Sequence, residues 1–514
     1  MHFPEDIKEV TLDGRRLILE EVVAAARFHV RVRLSHCAVE AMKSSREAVE
    51  KLLCGNQPVY GINTGFGALS QVSISEDEIN LTQNNLILSH AAGCGQPLPQ
   101  EAVRAVMLLR INALCQGYSG IRPELVQTLA DMLNAGVHPV IPEKGSLGAS
   151  GDLAPLSHMA LVLLGCGEAE VGGKVLPGLE AMNAAGLPVF SLQAKEGLAL
   201  INGTQATCGV GALALYDAIK AARLADIAAG LSMEALLGRI DAFSERIQEV
   251  RPYIGQSNTA RNIRLQCSGS RMMTKADGLR VQDAYSLRCV PQVHGAVRDA
   301  LDYVRKTLEI EFNSVTDNPL IFPEDGTVIS GGNFHGEPIA LAMDFLGIAA
   351  SELASISERR LERMVNPQLS CGLPAFLTKY PGVNSGMMII QYTAASMVSE
   401  NKVLAHPASV DSIPSSANQE DHVSMGMTAS RKARLIVENT LSVLALEMLA
   451  AAQAVDLRGG EPSPANRKLH ALIREHSPFL DKDRELRKDV ADMNRFVRSG
   501  EIEKMISEAV PGFC

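Results

Sequence analysis

Ala149-Ser150-Gly151 is a tripeptide of small residues whose central serine could take part in covalent chemistry. Its own glycine and the preceding Gly148 lack a Cβ atom, which frees the backbone around the serine for tight conformations. Asp152 follows and has a residue type preferred at a helix N-cap, so we predict a helix that runs through Met159 to Leu164. That helix would place the positive end of its dipole beside the serine. From these residues alone, a tight loop before a helix remains the simpler interpretation.

Further polar loops carry side chains that could bind or activate a substrate, and most of them contain glycine or proline. Glycine-rich loops of this kind often carry function. The loops, in chain order, are Tyr60–Gly67, Ser89–Gly93, Leu200–Gln205, Val281–Cys289, Thr316–Pro319, Gly331–His335 and Ser416–His422. Together they would place Tyr, His, Asn, Gln, Arg, Phe and Glu side chains at helix ends, where a bundle could bring them together.

Two other enzyme classes fit these residues poorly. A serine hydrolase would need G-x-S-x-G at a strand-to-helix elbow, and the residues around Ser150 lack that spacing. A metalloenzyme would need clustered ligands, whereas His335, His406 and His422 are dispersed and no C-x-x-C occurs. We therefore expect no metal. A non-enzymatic helical oligomer remains as an alternative, but it would leave the polar loops without an explanation.

Long helices must position these loops. Nine alanines occur in residues 206–229, and such Ala-rich faces let helices pack closely. We predict a mainly α fold, in which residues 201–514 form a long central antiparallel helix bundle and residues 1–200 a smaller, loop-rich lobe with the tripeptide. The predicted helices are Leu19–Arg27, Val39–Leu53, Ile79–His90, Val103–Leu114, Pro123–Ala135, Val293–Leu308, Pro338–Met364, Met387–Leu404 and Ala429–Leu457.

Three shorter segments have patterns of their own. Residues Ile7 to Leu12 read as a strand, and Gly172-Gly173 is typical of a hairpin turn between two short strands. The charged stretch from Asp481 to Asp489 is most simply the solvated face of a helix.

Composition points to a soluble cytoplasmic protein. Lys and Arg number 48 against 58 Asp and Glu, and the net charge of −10 argues against nucleic acid or an anionic membrane as a partner. No apolar run approaches the ~18 residues that a membrane-spanning helix needs. The first residues include acids where a secretion signal would have a basic and then an apolar segment. The ten cysteines are scattered, as expected for reduced thiols.

Seven ordered motifs resemble those of the aromatic amino acid ammonia-lyases, from about residue 10 to residue 460. Ser89-His90 and the motif N-Q-E-D-H, which ends at His422, resemble in particular the branch of that family that acts on histidine. The motifs are G-S-L-G-A-S-G-D-L-A-P-L, Y-G-I-N-T-G-F-G, N-G-T-Q, Y-S-L-R-C, T-D-N-P, G-G-N-F-H and N-Q-E-D-H.

The resemblance implies that the chain makes its own electrophile. In this family the nitrogen of the tripeptide glycine, here Gly151, attacks the carbonyl carbon of the alanine, here Ala149, and two waters leave. Ser150 becomes a dehydroalanine within a methylidene-imidazolone (MIO), and no metal or external cofactor is needed. The resemblance further implies that Asn202 and Tyr285 hold this group and the reacting amine, and that Tyr60 removes the β-proton of the substrate.

Substrate contacts follow from the same resemblance. Arg288 would clamp the substrate carboxylate, since guanidinium and carboxylate match in bidentate geometry, while Gln282 and Phe334 would line the pocket. His90 and Glu420 would each pair with a ring nitrogen, because unpaired polar groups in a closed pocket cost ~1–3 kcal/mol. The implied reaction converts L-histidine to trans-urocanate and ammonia, the first step of histidine degradation. The implied assembly is a homotetramer whose active sites are shared between chains.

The chain departs from the histidine branch at one position. That branch commonly has Q-D-P-Y, whereas Ala284 replaces the proline here and removes a fixed φ from the loop that carries Tyr285 and Arg288. Residues 256–279 also lack motifs that match. Three possibilities therefore stay open: altered activity, with phenylalanine or tyrosine as the other substrates; a related aminomutase that adds ammonia back at the β-carbon; and reduced order of this loop.

Overall fold

Helices dominate the structure, in keeping with a composition rich in Ala, Leu and Glu. The computed structural model describes residues 3–54, 61–65, 74–75, 78–274 and 279–514. These residues form nineteen α-helices and nine short strands. The predicted mainly helical fold is confirmed.

The strands pair in small sheets within the first 180 residues and in one later hairpin. With the strands numbered in chain order, β1 pairs with β2 in parallel. The other pairs are antiparallel: β3 with β5, β4 with β6, β6 with β7, and β8 with β9. The strands are β1 (Glu9–Leu12), β2 (Arg31–Leu34), β3 (Cys94–Pro97), β4 (Val137–Pro139), β5 (Pro142–Lys144), β6 (Glu168–Val171), β7 (Lys174–Pro177), β8 (Leu320–Phe322) and β9 (Thr327–Ile329). The hairpin at Gly172-Gly173 is confirmed as the β6–β7 turn.

Eight helices precede the long central ones. They are α1 (Leu19–Arg27), α2 (His36–Leu53), α3 (Ile79–His90), α4 (Gln100–Leu114), α5 (Pro123–Ala135), α6 (Leu153–Leu163), α7 (Gly178–Ala184) and α8 (Glu196–Ile201). α5 begins at Pro123, a position that needs no hydrogen-bonded N–H, and it ends before Gly136, whose φ is +74°. α3 and α5 begin and end where the sequence predicts.

The later part of the chain contains the long helices. It comprises α9 (Gln205–Ala235), α10 (Glu245–Glu249), α11 (Ile254–Gln266), α12 (Tyr285–Arg288), α13 (Val290–Phe312), α14 (Glu337–Val365), α15 (Met388–Leu404), α16 (Gly426–Arg458), α17 (Pro464–His476), α18 (Arg487–Ser499) and α19 (Glu501–Ala509). Nearly every residue of α9 is buried, because alanine on all faces lets neighbouring helices approach closely.

Two compact units divide the chain. Unit 1 consists of Met1–Tyr216, Val304–Asp344 and Pro407–Arg431, and unit 2 of Asp217–Tyr303, Phe345–His406 and Lys432–Cys514. The predicted lobes follow one another along the chain, with a boundary at residue 200. The structural units are instead interleaved in sequence, since four of their segment boundaries fall inside the long helices α9, α13, α14 and α16.

α14 and α16 are apolar enough to span a membrane by length and composition alone, although the sequence suggested no such run. In α14, 67% of the most apolar stretch is buried inside the protein, and in α16 the share is 78%. Apolar helices buried in this way form the core of a helical bundle.

The charged stretch from Asp481 to Asp489 does not form the predicted helix face. Asp481–Asp489 is predicted to be the solvated face of a helix, but α18 begins only at Arg487. Asp489 is 4% exposed and accepts hydrogen bonds from Ser477 Oγ at 2.5 Å and Arg484 at 2.7 Å. Charge patterning failed here because Asp489 finds a cation and a hydroxyl within the protein, which offsets the cost of burial.

Candidate active site

The tripeptide Ala149-Ser150-Gly151 is pressed against a second glycine segment. Gly151 has a φ of +74°, which favours glycine, and a Cβ atom there would lie 2.2 Å from the Gly203 carbonyl oxygen. The two glycines form a parallel backbone bridge. The N–H of Asp152 donates to the same Gly203 oxygen at 2.6 Å. Only glycine fits at position 151, and this contact holds the tripeptide in place.

Two helices begin beside this contact. α6 begins at Leu153, just after Gly151, and α9 begins at Gln205, just after Gly203. The first N–H groups of a helix have no partner within it, and the helix dipole adds partial positive charge at that end. The surroundings of the tripeptide therefore favour negative charge that develops there.

Ser150 is hydrogen-bonded to a buried amide. Its Oγ donates to Asn202 Oδ1 at 2.8 Å, and Asn202 is 1% exposed. Asn202 lies at the C-cap of α8, where its backbone is extended and its side chain leaves the helix. The structure thus brings together two residues that are far apart in the sequence.

A buried ion pair lies behind this amide. Asn202 Nδ2 donates to Asp317 Oδ1 at 3.2 Å and to the Asn318 carbonyl at 3.1 Å. Asp317 Oδ2 in turn accepts from Lys195 Nζ at 2.6 Å. We call Ser150, Asn202, Asp317 and Lys195 the tripeptide cluster. Burial lowers the pKa of Lys195, and the Asp317 carboxylate opposes that shift.

Arg110 supports the backbone of the same segment. Its Nη1 donates to the Asn202 carbonyl at 2.9 Å and to Gln205 Oε1 at 2.7 Å. Complete burial lowers the pKa of Arg110 to about 10, with Asp317 acting in the opposite direction. The guanidinium therefore stays charged at neutral pH and fixes the turn between α8 and α9.

Asp152 is where the sequence predicts a helix N-cap, but its side chain does not cap α6. The carboxylate accepts from Thr207 N at 2.7 Å, Thr207 Oγ1 at 2.9 Å and Ser146 Oγ at 2.8 Å. It therefore satisfies an N–H in the first turn of α9 instead. Burial raises the pKa of Asp152, and these hydrogen bonds oppose the increase.

His90 and Glu420 interact electrostatically although they are far apart in the sequence. His90 is the last residue of α3, and its Nδ1 lies 3.0 Å from Ser89 Oγ. Burial lowers the pKa of His90, while the Leu86 carbonyl and the Glu420 carboxylate act to raise it. Glu420 is held by Ser415 Oγ at 2.8 Å. A neutral imidazole can donate or accept a hydrogen bond and a carboxylate accepts one, so these two groups together could pair with a polar ring.

Phe334 lies in a half-buried loop between β9 and α14. The next residue, His335, stacks on His422 with ring centroids 5.8 Å apart and an interplanar angle of 11°. Its Nε2 also lies 3.2 Å from the His422 carbonyl oxygen. These contacts hold the Phe334 loop against the loop that carries Glu420.

Gln282, Tyr285 and Arg288 share one loop and short helix in unit 2. The guanidinium of Arg288 lies 4.6 Å from the centroid of the Tyr285 ring, within cation–π range. The Arg288 Nε–H is buried and has no hydrogen-bond partner among the described residues. Gln282 and Tyr285 are exposed. An arginine with a buried donor to spare is suited to bind a carboxylate.

A buried carboxylate fixes this loop where proline is absent. Asp283 is 3% exposed and accepts from Arg239 N at 2.6 Å and from Arg280 Nε at 2.5 Å. Ala284 has a φ of −63° and a ψ of 160°, the conformation that proline would impose. The ion pair therefore maintains the loop geometry that the substitution of proline put in question.

One expected site residue falls where the structure gives no description, and some hydrogen-bond partners near the tripeptide had no sequence signal. Tyr60 lies outside the described residues. Asp317 belongs to a motif noted in the sequence but was assigned no role, and Lys195 and Arg110 carried no signal, because their partners lie in distant segments. Among the residues that the structure describes, no three His, Cys, Asp or Glu side chains cluster as metal ligands would.

The model of the family described as aromatic amino acid lyase matches residues 17–475. The chain belongs to this family, and it is a carbon–nitrogen lyase that acts on a small-molecule amino acid.

Two curated relatives and two solved structures show how similar the members are. The histidine ammonia-lyase of Caldanaerobacter subterraneus subsp. tengcongensis is 56% identical over 98% of this chain and 99% of its own length. That of Alkaliphilus metalliredigens is 55% identical over 98% and 100%. The histidine ammonia-lyase structure from Trypanosoma cruzi matches with a TM-score of 0.91 and 44% identity over 98% of this chain and 96% of that one. Tyrosine aminomutase from Streptomyces globisporus matches with a TM-score of 0.94 and 38% identity over 98% and 99%.

Proposed function

We propose that the protein is a histidine ammonia-lyase, which converts L-histidine to trans-urocanate and ammonia. The observation that carries the proposal is that His90 and Glu420, two half-buried groups, interact electrostatically and can match the two nitrogens of an imidazole. The full-length identity to relatives named histidine ammonia-lyase supports the same substrate. In the reaction the Cα–N bond breaks, a β-proton leaves, and the electron pair of the C–H bond becomes the new C=C bond.

We propose that Ala149-Ser150-Gly151 forms the MIO. The chain fits the group, because position 151 accepts only glycine, and because Ser150 presents its hydroxyl to a fixed amide. The nitrogen of the glycine adds to the alanine carbonyl carbon, and that oxygen leaves as water with the two amide protons. Ser150 then loses its Cα proton and its hydroxyl as a second water. The completed group supplies an electrophilic carbon, which no standard side chain offers.

The remaining roles follow from the same proposal. Tyr60 accepts the β-proton, and Arg288 binds the substrate carboxylate with the help of its buried Nε–H, which has no hydrogen-bond partner among the described residues. Tyr285 and Asn202 orient the amine beside the tripeptide. Gln282 and Phe334 line the proposed substrate pocket.

The proposed assembly is a homotetramer with shared active sites, in the cytoplasm. Large apolar side chains on α13, α14 and α15 are exposed in the single chain and support burial against other copies: Tyr303, Ile310, Phe345, Ile348, Ile389 and Tyr392. All ten cysteines are free thiols, as in a reducing compartment. Light scattering measures the mass of the assembly. Mixing Ser150→Ala chains with Arg288→Ala chains should restore activity only if sites are shared.

An ultraviolet assay with purified protein tests the substrate. L-Histidine should yield urocanate absorbance, whereas L-phenylalanine should yield no cinnamate and L-tyrosine no coumarate. Chromatography of the same mixtures detects β-amino acids, which an aminomutase would form; the structural likeness to tyrosine aminomutase makes this the second candidate. Coumarate or β-tyrosine as the main product would overturn the histidine assignment.

A further inference from the structure

Lys195 and Asp317 form an ion pair that is almost completely removed from solvent. Their side chains are 0% and 2% exposed, and the Nζ–Oδ2 distance is 2.6 Å. Burying two charges costs as much as their attraction returns in many proteins, so such a pair is weak evidence for a purely stabilising role. Lys195 also has a φ of +72°, a conformation that is unfavourable for any residue with a Cβ atom.

The second carboxylate oxygen of Asp317, Oδ1, accepts the backbone N–H of Asn318 at 2.7 Å and also faces the amide of Asn202. That amide has one donor end and one acceptor end, and exchanging them by a rotation of 180° changes little in shape. The Nδ2 end meets two acceptors, Asp317 Oδ1 and the Asn318 carbonyl. In the rotated amide an oxygen would face both, with two buried hydrogen bonds lost and a charge repelled.

We propose that Lys195 and Asp317 are positioning residues for MIO formation, which act by fixing the amide of Asn202 so that its oxygen faces Ser150. The inference rests on the proposed function of the tripeptide. Lys195 Nζ holds one oxygen of the Asp317 carboxylate, and the other oxygen turns the NH₂ end of Asn202 toward itself. The amide oxygen then points at Ser150 Oγ, 2.8 Å away.

The orientation matters for the loss of water from Ser150. Because the hydroxyl donates its own proton to Asn202, its lone pairs stay free to accept the proton with which it leaves as water. The Cα proton departs, and the C–H electron pair becomes the Cα=Cβ bond. In a rotated amide the Nδ2–H of Asn202 would instead donate to a lone pair of Ser150 Oγ. The hydroxyl would then lose its acceptor, and the serine side chain would no longer be held in this rotamer.

The experiment follows dehydration by mass, independently of turnover. The double variant Lys195→Met/Asp317→Asn removes both charges and therefore leaves no unpaired buried ion. Freshly expressed protein is incubated, and the fraction that has lost two waters in the peptide containing residues 149–151 is measured over time. We expect dehydration to slow at least tenfold, while circular dichroism and assembly stay unchanged.

A neighbouring ion pair provides the matched control. Glu196 is also fully buried and pairs with Arg122 at 2.6 Å. Within the described residues, Glu196 makes no hydrogen bond to Asn202. Glu196→Gln should alter stability and leave the rate of water loss within about twofold of wild type. Asp317→Glu, which keeps the carboxylate, should dehydrate faster than Asp317→Asn.

The outcomes separate the two levels of the proposal. Wild-type protein without the two-water deficit would defeat the proposed electrophile itself. Wild-type rates in the folded double variant would overturn only the role of the ion pair. If the double variant does not fold, the two single substitutions at Asp317 decide the matter, and equal rates in them would overturn the role as well.

Discussion

Two clusters of buried charge differ in what they contact. The tripeptide cluster of unit 1 runs from an ion pair through an amide to Ser150. In unit 2 a second cluster, here called the bundle cluster, connects Asp226, His294, Arg298, Arg360 and Glu447. Arg360 Nε donates to Glu447 at 2.5 Å, and His294 Nδ1 and Arg298 lie 2.7 Å from Asp226.

The interactions named for the bundle cluster join buried or mostly buried groups of unit 2 to one another. Glu447, for example, accepts from Ser232 and Ser357 at 2.6 Å each as well as from Arg360. The tripeptide cluster instead ends on a serine hydroxyl in a glycine-containing loop beside two helix N-termini. Burial and charge are common to both clusters, so they do not identify a site. What identifies a site is the chemical nature of the residue at which the hydrogen-bond network ends, here the Ser150 hydroxyl.

The largest expected effect comes from removing that last group. Ser150→Ala should reduce turnover of L-histidine by at least about 10³-fold, because no other side chain supplies the electrophile. Steady-state kinetics measure the loss, and size-exclusion chromatography should show unchanged assembly. Ser157→Ala is the control, since its hydroxyl donates only within α6, to the Leu153 carbonyl at 2.7 Å. Activity within tenfold of wild type in the Ser150 variant would contradict the assignment.

Breaking the bundle cluster should affect stability and not dehydration. Glu447→Gln leaves the buried Arg360 without its counter-charge, and we expect a loss of ~3–5 kcal/mol in the free energy of unfolding. Glu438→Gln on the same helix breaks the partly exposed pair with Arg434 and should cost no more than ~1 kcal/mol. Denaturant titration compares the two. A normal two-water deficit in both variants would sharpen the contrast with the tripeptide cluster, and a missing deficit would erase it.

Acid should weaken the bundle cluster through Asp226. Burial raises the pKa of this carboxyl, but Arg298, His294 and Asn262 outweigh burial and lower the pKa to about 2. A depressed pKa stabilises the protein above the unfolded value near 3.9, and this contribution is lost as pH falls toward 2. The wild type should therefore lose about 2 kcal/mol relative to Asp226→Asn between pH 5 and pH 2. Denaturation at several pH values measures the gap, and a constant gap would speak against the shift.

The smallest effect concerns the loop of unit 2 that Asp283 fixes. Ala284 already has a proline-like φ of −63°, so Ala284→Pro should raise the free energy of unfolding by about 0.4–1 kcal/mol by restricting the unfolded chain. Thermal unfolding measures the change. Ala185→Pro serves as the unfavourable control, because the backbone N–H of Ala185 donates to the Ala181 carbonyl. A destabilised Ala284→Pro protein would mean that the Asp283 ion pair demands a different backbone.

Local patterns were enough for much of the fold. α3 and α5 begin and end at the predicted residues, and the turn at Gly172-Gly173 forms as expected, because caps, periodicity and glycine conformations act over a few residues. The same reasoning failed for Asp152 and Asp489. Each has the residue type of a solvated or capping carboxylate, yet each is buried on partners that belong to other segments.

The sequence by itself determined the mainly helical fold, the serine tripeptide and the family, since these depend on residue types at short spacing. Tertiary structure alone decided which groups stand behind Asn202, the residue whose amide faces Ser150. Asn202 meets Asp317 across 115 residues, and Lys195 meets it across 122. No local pattern encodes such a meeting, because it depends on the packing of separate segments into one core, where the low polarity makes each donor and acceptor find a definite partner.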